Sequence, residues 1–229
     1  MRVERWTALA GLAFVATTVG AVVTESAGPD VTKSPAAVAA KLGSDRSGVL
    51  INSALHIAAG VAVLLFAAGL AAVVRKGEGG RPVSHVVLAA GAATAAASGL
   101  TAVMAATVAS SVHHLHDSQA VYVLYRGAAS GALASMIFFA VALAAAAVGL
   151  TESGLVGRAW TRIALPVAGV LFIGGFGFLA PDAGPLSVVQ VLGGVFALAY
   201  VVALSTALLG AARSQDAAQT RVSTVASTG

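Results

Sequence analysis

Residues 49–74 form a run of twenty-six positions without Asp, Glu, Lys or Arg. In a chain of this kind no feature narrows the possible folds more. About 20 apolar residues suffice for a helix to cross the hydrocarbon of a bilayer. Inside that hydrocarbon every backbone N–H and C=O must be satisfied internally, which leaves helices or closed barrels. An unbroken apolar run this long lacks the alternating pattern of a membrane barrel strand, so it reads as a transmembrane helix.

The rest of the chain repeats the pattern. Further apolar stretches cover residues 6–23 and 82–111, a fourth ends near residue 150, a fifth covers 163–180 and a sixth ends near residue 212. Hydrophobic residues make up 58% of the sequence and charged residues 10%, against about 25% charged in soluble domains. Mean hydropathy is +0.92. A water-soluble fold has no interior large enough for this content, so the bilayer is the expected partner of most of the surface. The net charge of +4 does not indicate nucleic acid, because the basic residues flank apolar spans. With no cysteine, disulfides, thiolate metal sites, iron–sulfur clusters and cysteine nucleophiles are excluded.

Orientation follows from the charges between spans. With the N-terminus inside, Arg2, Arg5, Arg75, Lys76, Arg81, Arg158, Arg162, Arg213 and Arg221 fall on the inner side, and Lys33, Lys41, Arg46 and Arg126 on the outer side. Nine against four agrees with the positive-inside rule, and Trp6 and Trp160 fall beside inner boundaries, where amphipathic rings prefer to lie. A basic start followed by an apolar stretch also resembles a secretory signal. The stretch is long for one, however, and Glu25 interrupts the nearest small-residue cleavage pattern, so the first span is expected to be retained.

The expectation is an all-α integral membrane bundle of six transmembrane helices in three antiparallel hairpins, both termini cytoplasmic, in the cell membrane. Residues 1–212 form its single domain, and 213–229, small and polar, form a disordered cytoplasmic tail. The outer loop 24–48 carries Ser34-Pro35 and Gly43, signals for a short helix that starts on a capping Ser with Pro in its first turn. Val38 and Leu42 share its apolar edge, which rests on the outer leaflet or on the bundle mouth; an ordinary connecting loop is the alternative.

Polar residues within the spans are few. Asn52 and His56 share a face of the second span at i, i+4, and Thr94, Ser98 and Thr101 share a narrow face of the third. Tyr122, Arg126 and Ser130 are aligned on the fourth, and Gln190 lies in the outer part of the sixth. Intramembrane ionisable groups are functional-site hypotheses by default. Asn52, His56, Ser98, Thr101, Arg126 and Gln190 are therefore the expected ligand-binding set, enclosed by the outer halves of spans two, three, four and six, with the polar face of span three as complement to Asn52 and His56. Against this, His56 can be a neutral partner in a helix–helix hydrogen bond, and Arg126 can snorkel to the outer interface. If Arg126 points inward, the pocket favours an anionic or carbonyl-bearing ligand.

His113, His114, His116 and Asp117 lie within five residues at the outer end of the third span. His113 and His116 are candidate metal ligands at i, i+3, but a solvated polar turn accounts equally for the cluster, and no metal or other cofactor is expected. A haem would need two histidines at matching depth, which His56 and His85 are not. The chain contains no HExxH, GxSxG or GxxxxGK[ST] motif, so an enzyme is the less favoured class. Gly127 and Gly131, with Ser135, provide small residues for close helix packing, and Gly169, Gly174, Gly175 and Gly177 permit bending or packing of the fifth span.

The run from Ser34 to Leu70, a capped outer helix, then Ser44-Asp45-Arg46-Ser47-Gly48, then a span ending Leu64-Leu65-Phe66-Ala67-Ala68-Gly69-Leu70, resembles the small polytopic membrane proteins of high-GC bacteria. That resemblance implies a membrane bundle and carries no activity. The functional expectation is binding or passage of a small molecule through an outer-facing polar pocket. The alternatives are an accessory or scaffold subunit with a membrane protein partner or a second copy, and a metal-dependent membrane enzyme.

Overall fold

The computed structural model describes residues 3–25, 28–77, 80–115, 117–179 and 184–227. His116 and residues 181–183 of the tight turn expected after the fifth span lie outside them. The described residues form only helices: α1 Val3–Glu25, α2 Pro35–Ser44, α3 Arg46–Val74, α4 Gly80–Ser111, α5 Ser118–Glu152, α6 Arg158–Gly175 and α7 Gly184–Ser227, with a 3₁₀ turn Phe176–Leu179 after α6. Five are long and apolar enough to cross a membrane: α1, α3, α4, α5 and the Pro185–Ser214 part of α7. The chain is thus a multi-pass helical membrane protein. α6, with 18 residues and both Arg158 and Arg162 near its start, is not among the five.

The helices close a ring in chain order. α1 packs on α3, α3 on α4, α4 on α5, α5 on α6 and α6 on α7, and α7 returns to α1. The six helices share one core, to which Phe14, Phe66, Val87, Leu143, Leu171 and Leu204 contribute from α1, α3, α4, α5, α6 and α7. α1 is a structural member of this ring. Its Phe14 ring meets Phe139 of α5 at 5.0 Å between centroids, Thr7 lies against Gly69 of α3, and Gly11 faces Ser205 of α7 and Phe66 of α3. At the end where α1 begins, the Lys76 ammonium donates to the Glu4 carboxylate at 2.8 Å, a carboxylate that is itself buried.

Small residues set the spacing between helices. Gly91 of α4 lies on Ala67 of α3, and a Cβ at Gly131 of α5 would stand 2.6 Å from the Thr101 hydroxyl of α4. Backbone meets backbone closely between α6 and α7, where a Cβ at Gly174 would lie 2.8 Å from Gln190 Cα and one at Gly193 would lie 3.0 Å from Leu171 Cα. Lipid offers no hydrophobic drive for helix association, so dispersion contacts at such seams hold the ring together.

α2 closes the end of the bundle where α3 and α5 begin. Ser34 Oγ accepts from the Ala37 N–H, Pro35 occupies the first turn, and the Asp45 N–H returns to the Lys41 carbonyl. Val38 and Leu42 are fully buried in a second core with Val49 of α3, Val108 of α4, Val112 just after it and Val121 of α5, so the apolar edge of α2 rests on the bundle mouth. At the opposite end, α7 continues as helix to Ser227, through the segment whose composition suggests disorder. Residues added to an existing helix need no new nucleus, and Ala, Gln and Arg propagate it well.

Candidate functional site

Polar side chains at the α2 end of the bundle gather beneath α2 and the loop that precedes it. On α3, Asn52 is half-buried and its Nδ2 donates to the Ala21 carbonyl at 2.7 Å and to Thr24 Oγ1 at 3.0 Å. Its partner is therefore the last turn of α1, not the polar face of α4 expected from the sequence. The reason is topological: α3 lies between α1 and α4, and helical periodicity does not say which neighbour a given face meets.

His56 lies one turn further along the same face, also half-buried, and is within electrostatic reach of Glu25 at the end of α1. Tyr125 of α5 shares that acidic neighbour and Asp45 as well, and its hydroxyl stands beside Gly28. Tyr122, one helical turn before Arg126, donates its hydroxyl to the Val31 carbonyl at 3.1 Å. Arg126 Nη1 donates to the same hydroxyl at 2.8 Å, and its guanidinium lies 5.7 Å from the Tyr122 ring centroid. A two-step relay thus ties the outer loop to α5. In that loop the Asp30 carboxylate accepts from the Thr32 hydroxyl at 2.7 Å and from its N–H at 2.9 Å. The hydroxyl bond, then the amide bond, holds the Asp30 pKa below its usual value. The loop therefore gains from this contact above the ordinary carboxylate pKa and loses it as pH falls through the lowered one.

The remaining expected site residues divide between two places. Ser98 faces α3 at Gly60, and Thr101 is pressed against Gly131 of α5; the Thr101 hydroxyl is buried without a hydrogen-bond partner. Gln190 stands apart, against Gly174 and Gly177, because α7 packs on α6 and α1 rather than on α3 or α4. His113 is exposed beside Gly43 of α2. Among the described residues no three His, Asp or Glu side chains are grouped to hold a metal ion.

Three participants were not singled out from the sequence. Glu25 and Tyr125 carried no spacing signal, and Val31 contributes only a carbonyl. The Tyr122–Arg126 pair, by contrast, is legible as an i, i+4 alignment. Chemically the group offers a cation, two phenols and an imidazole as hydrogen-bonding or charged partners, with Glu25 at its edge. Neither Glu25 nor Asp45 is paired with Arg126, and Asp45 instead faces Lys41 at 3.5 Å. Comparison with family models, with curated proteins and with solved structures returns no match.

Proposed function

We propose that the chain is a six-span protein of the cell membrane, both termini cytoplasmic, that binds a small anionic or carbonyl-bearing molecule at its outer end, beneath α2 and residues 28–34. The observation that supports binding is Arg126: half-buried, it rests on the neutral Tyr122 hydroxyl with no carboxylate partner among the described residues. A guanidinium held this way keeps donors for an oxygen-bearing ligand. The filled inner core favours binding over an open passage.

Support for the sixth crossing comes from length. α6 and the turn Phe176–Leu179 together extend roughly 35 Å, from rises of about 1.5 and 2.0 Å per residue, against about 30 Å of hydrocarbon. The link 153–157 is short enough to require α5 and α6 to run antiparallel, the basis of the hairpin arrangement. Accessibility labels at Gly79, Ser153 and Gly229 are expected to report cytoplasm, and labels at Lys41, Asp117 and Asp182 the exterior. An exterior signal at Gly79 would end the six-span reading.

The binding reading is tested by a thermal-shift screen of small carboxylates, phosphates and amides against the protein in mild detergent. A ligand at about one hundred times its Kd stabilises by about 2.7 kcal/mol. A compound that raises the wild-type Tm is expected to lose its effect in His56→Ala/Arg126→Ala. Equal shifts in both proteins would remove the ligand from this site.

A scaffold role is the second reading. Gly91 and Gly131 are spent on contacts inside the ring, but nothing lies within 4 Å of a Cβ built at Gly99, Gly169 or Gly194. Such open small positions suit a partner helix, and a co-purifying membrane protein lost on Gly99→Leu would favour this role.

A further inference from the structure

On the lipid-facing side, at the end of α6 opposite to α2, the walls of α6 and α7 diverge into a slot of about 330 Å³. Trp160, Ile163 and Val167 line it from α6, and Phe196, Tyr200 and Ala203 from α7. Its surface is almost wholly apolar. Tyr200 is 6% exposed, meets Trp160 edge-on at 5.7 Å between centroids, and its hydroxyl has no hydrogen-bond partner among the described residues.

Charge on the first turns of the same helix says what fits. Arg158 and Arg162 lie one turn apart on α6, both exposed and neither with a partner among the described residues. Gly157 begins the helix without a side-chain cap, so the first-turn N–H groups add partial positive charge at the same place. Leu171 faces Gly193 and Gly174 faces Gln190, which puts Tyr200 level with Ala164, roughly 9 Å above Arg158 at about 1.5 Å per residue. A phosphodiester at the arginines therefore brings its glycerol esters near the Tyr200 hydroxyl and an acyl chain along Ile163, Val167 and Phe196.

We propose that this slot is a binding site for an anionic phospholipid, its phosphate held by Arg158 and Arg162 and one acyl chain seated between α6 and α7. The site is independent of the outer-end ligand; only its assignment to the cytoplasmic leaflet rests on the proposed orientation. Basic residues beside a cleft between membrane helices recognise anionic headgroups in this way.

The experiment is native mass spectrometry of the full chain from mixed micelles holding equal phosphatidylglycerol and phosphatidylcholine. Wild type is expected to retain phosphatidylglycerol in preference by roughly thirtyfold, the worth of two arginines at about 1 kcal/mol each at a membrane surface. Arg158→Gln/Arg162→Gln abolishes the preference, and Ala203→Phe, which fills the slot from an exposed position, lowers retention with both arginines intact. Arg75→Gln/Arg81→Gln, which removes cations from a different part of the chain, leaves retention unchanged. Equal retention of the two lipids, the same loss in that control, or undiminished retention in Ala203→Phe would each overturn the assignment. So would displacement by millimolar inorganic phosphate, which would make the arginines an ion site without the slot. Size-exclusion profiles matching wild type establish that the variants are folded.

Discussion

Gly174→Leu and Gly193→Leu are each expected to separate α7 from α6, while Gly169→Leu and Gly194→Leu on the same two helices change stability by no more than about 0.5 kcal/mol. A Cβ at Gly174 would meet the Gln190 Cα at 2.8 Å and its N at 3.2 Å, and one at Gly193 would meet the Leu171 Cα and N at 3.0 and 3.1 Å. These obstacles are backbone atoms, which cannot rotate away as a side-chain tip can. Relief requires the helices to part, and overpacking of that kind costs about 1–3 kcal/mol for a methylene or two and more for a whole side chain. At Gly169 and Gly194 a Cβ meets nothing within 4 Å. The measurement is Tm in mild detergent together with the monodisperse fraction on size exclusion. Equal behaviour of Gly193→Leu and Gly194→Leu would show that α6 and α7 do not meet along this seam.

Phe66→Ala is the second large effect, expected to cost about 3–5 kcal/mol, the range for emptying a core aromatic. Phe66 is 1% exposed and stands where α1, α3 and α7 converge, its ring edge and Ser205 both set against the same side of Gly11. Truncation leaves a cavity at the joint that closes the ring, and neither α1 nor α7 can collapse into it without losing Gly11–Ser205 contact. Leu65, its chain neighbour, is 58% exposed, so Leu65→Ala exchanges one lipid contact for another and is expected to be nearly neutral. The check is reversible unfolding in mixed micelles, with Phe66→Leu falling between the two. A Phe66→Ala protein as stable as Leu65→Ala would mean that α1 is not packed against α3 at this depth.

The orientation of each helix about its own axis is what these variants probe, and it is the part of the fold that the chain concealed. In α1 the buried residues are Glu4, Thr7, Ala8, Gly11, Phe14 and Ala21, while Leu9, Val19, Val22 and Val23 face outward. Apart from Phe14, a reading that places large apolar residues inside would turn this helix the wrong way. In a bilayer both faces are apolar, so the periodicity that separates core from water in a soluble helix vanishes. Small residues then mark the interior because they let backbones approach.

What the sequence by itself determined is whatever depends on local chemistry and on the contrast between lipid and water. Long uncharged runs require helices that cross a bilayer, since only helices and closed barrels satisfy the backbone there and these runs lack the alternation of a barrel strand. The Ser34-Pro35 start of α2 follows from capping chemistry, and the alignment of Tyr122 with Arg126 follows from helical spacing. Only the tertiary structure decided which helices are neighbours. It gave Asn52 to Ala21 and Thr24 of α1 instead of to α4, took Gln190 away to the α6–α7 seam, and joined Glu4 to Lys76 at the end where α1 begins. Each of these contacts joins residues distant in sequence, and the choice among possible partners rests on shape and close packing summed over whole helices, for which no short run of residues carries a signal.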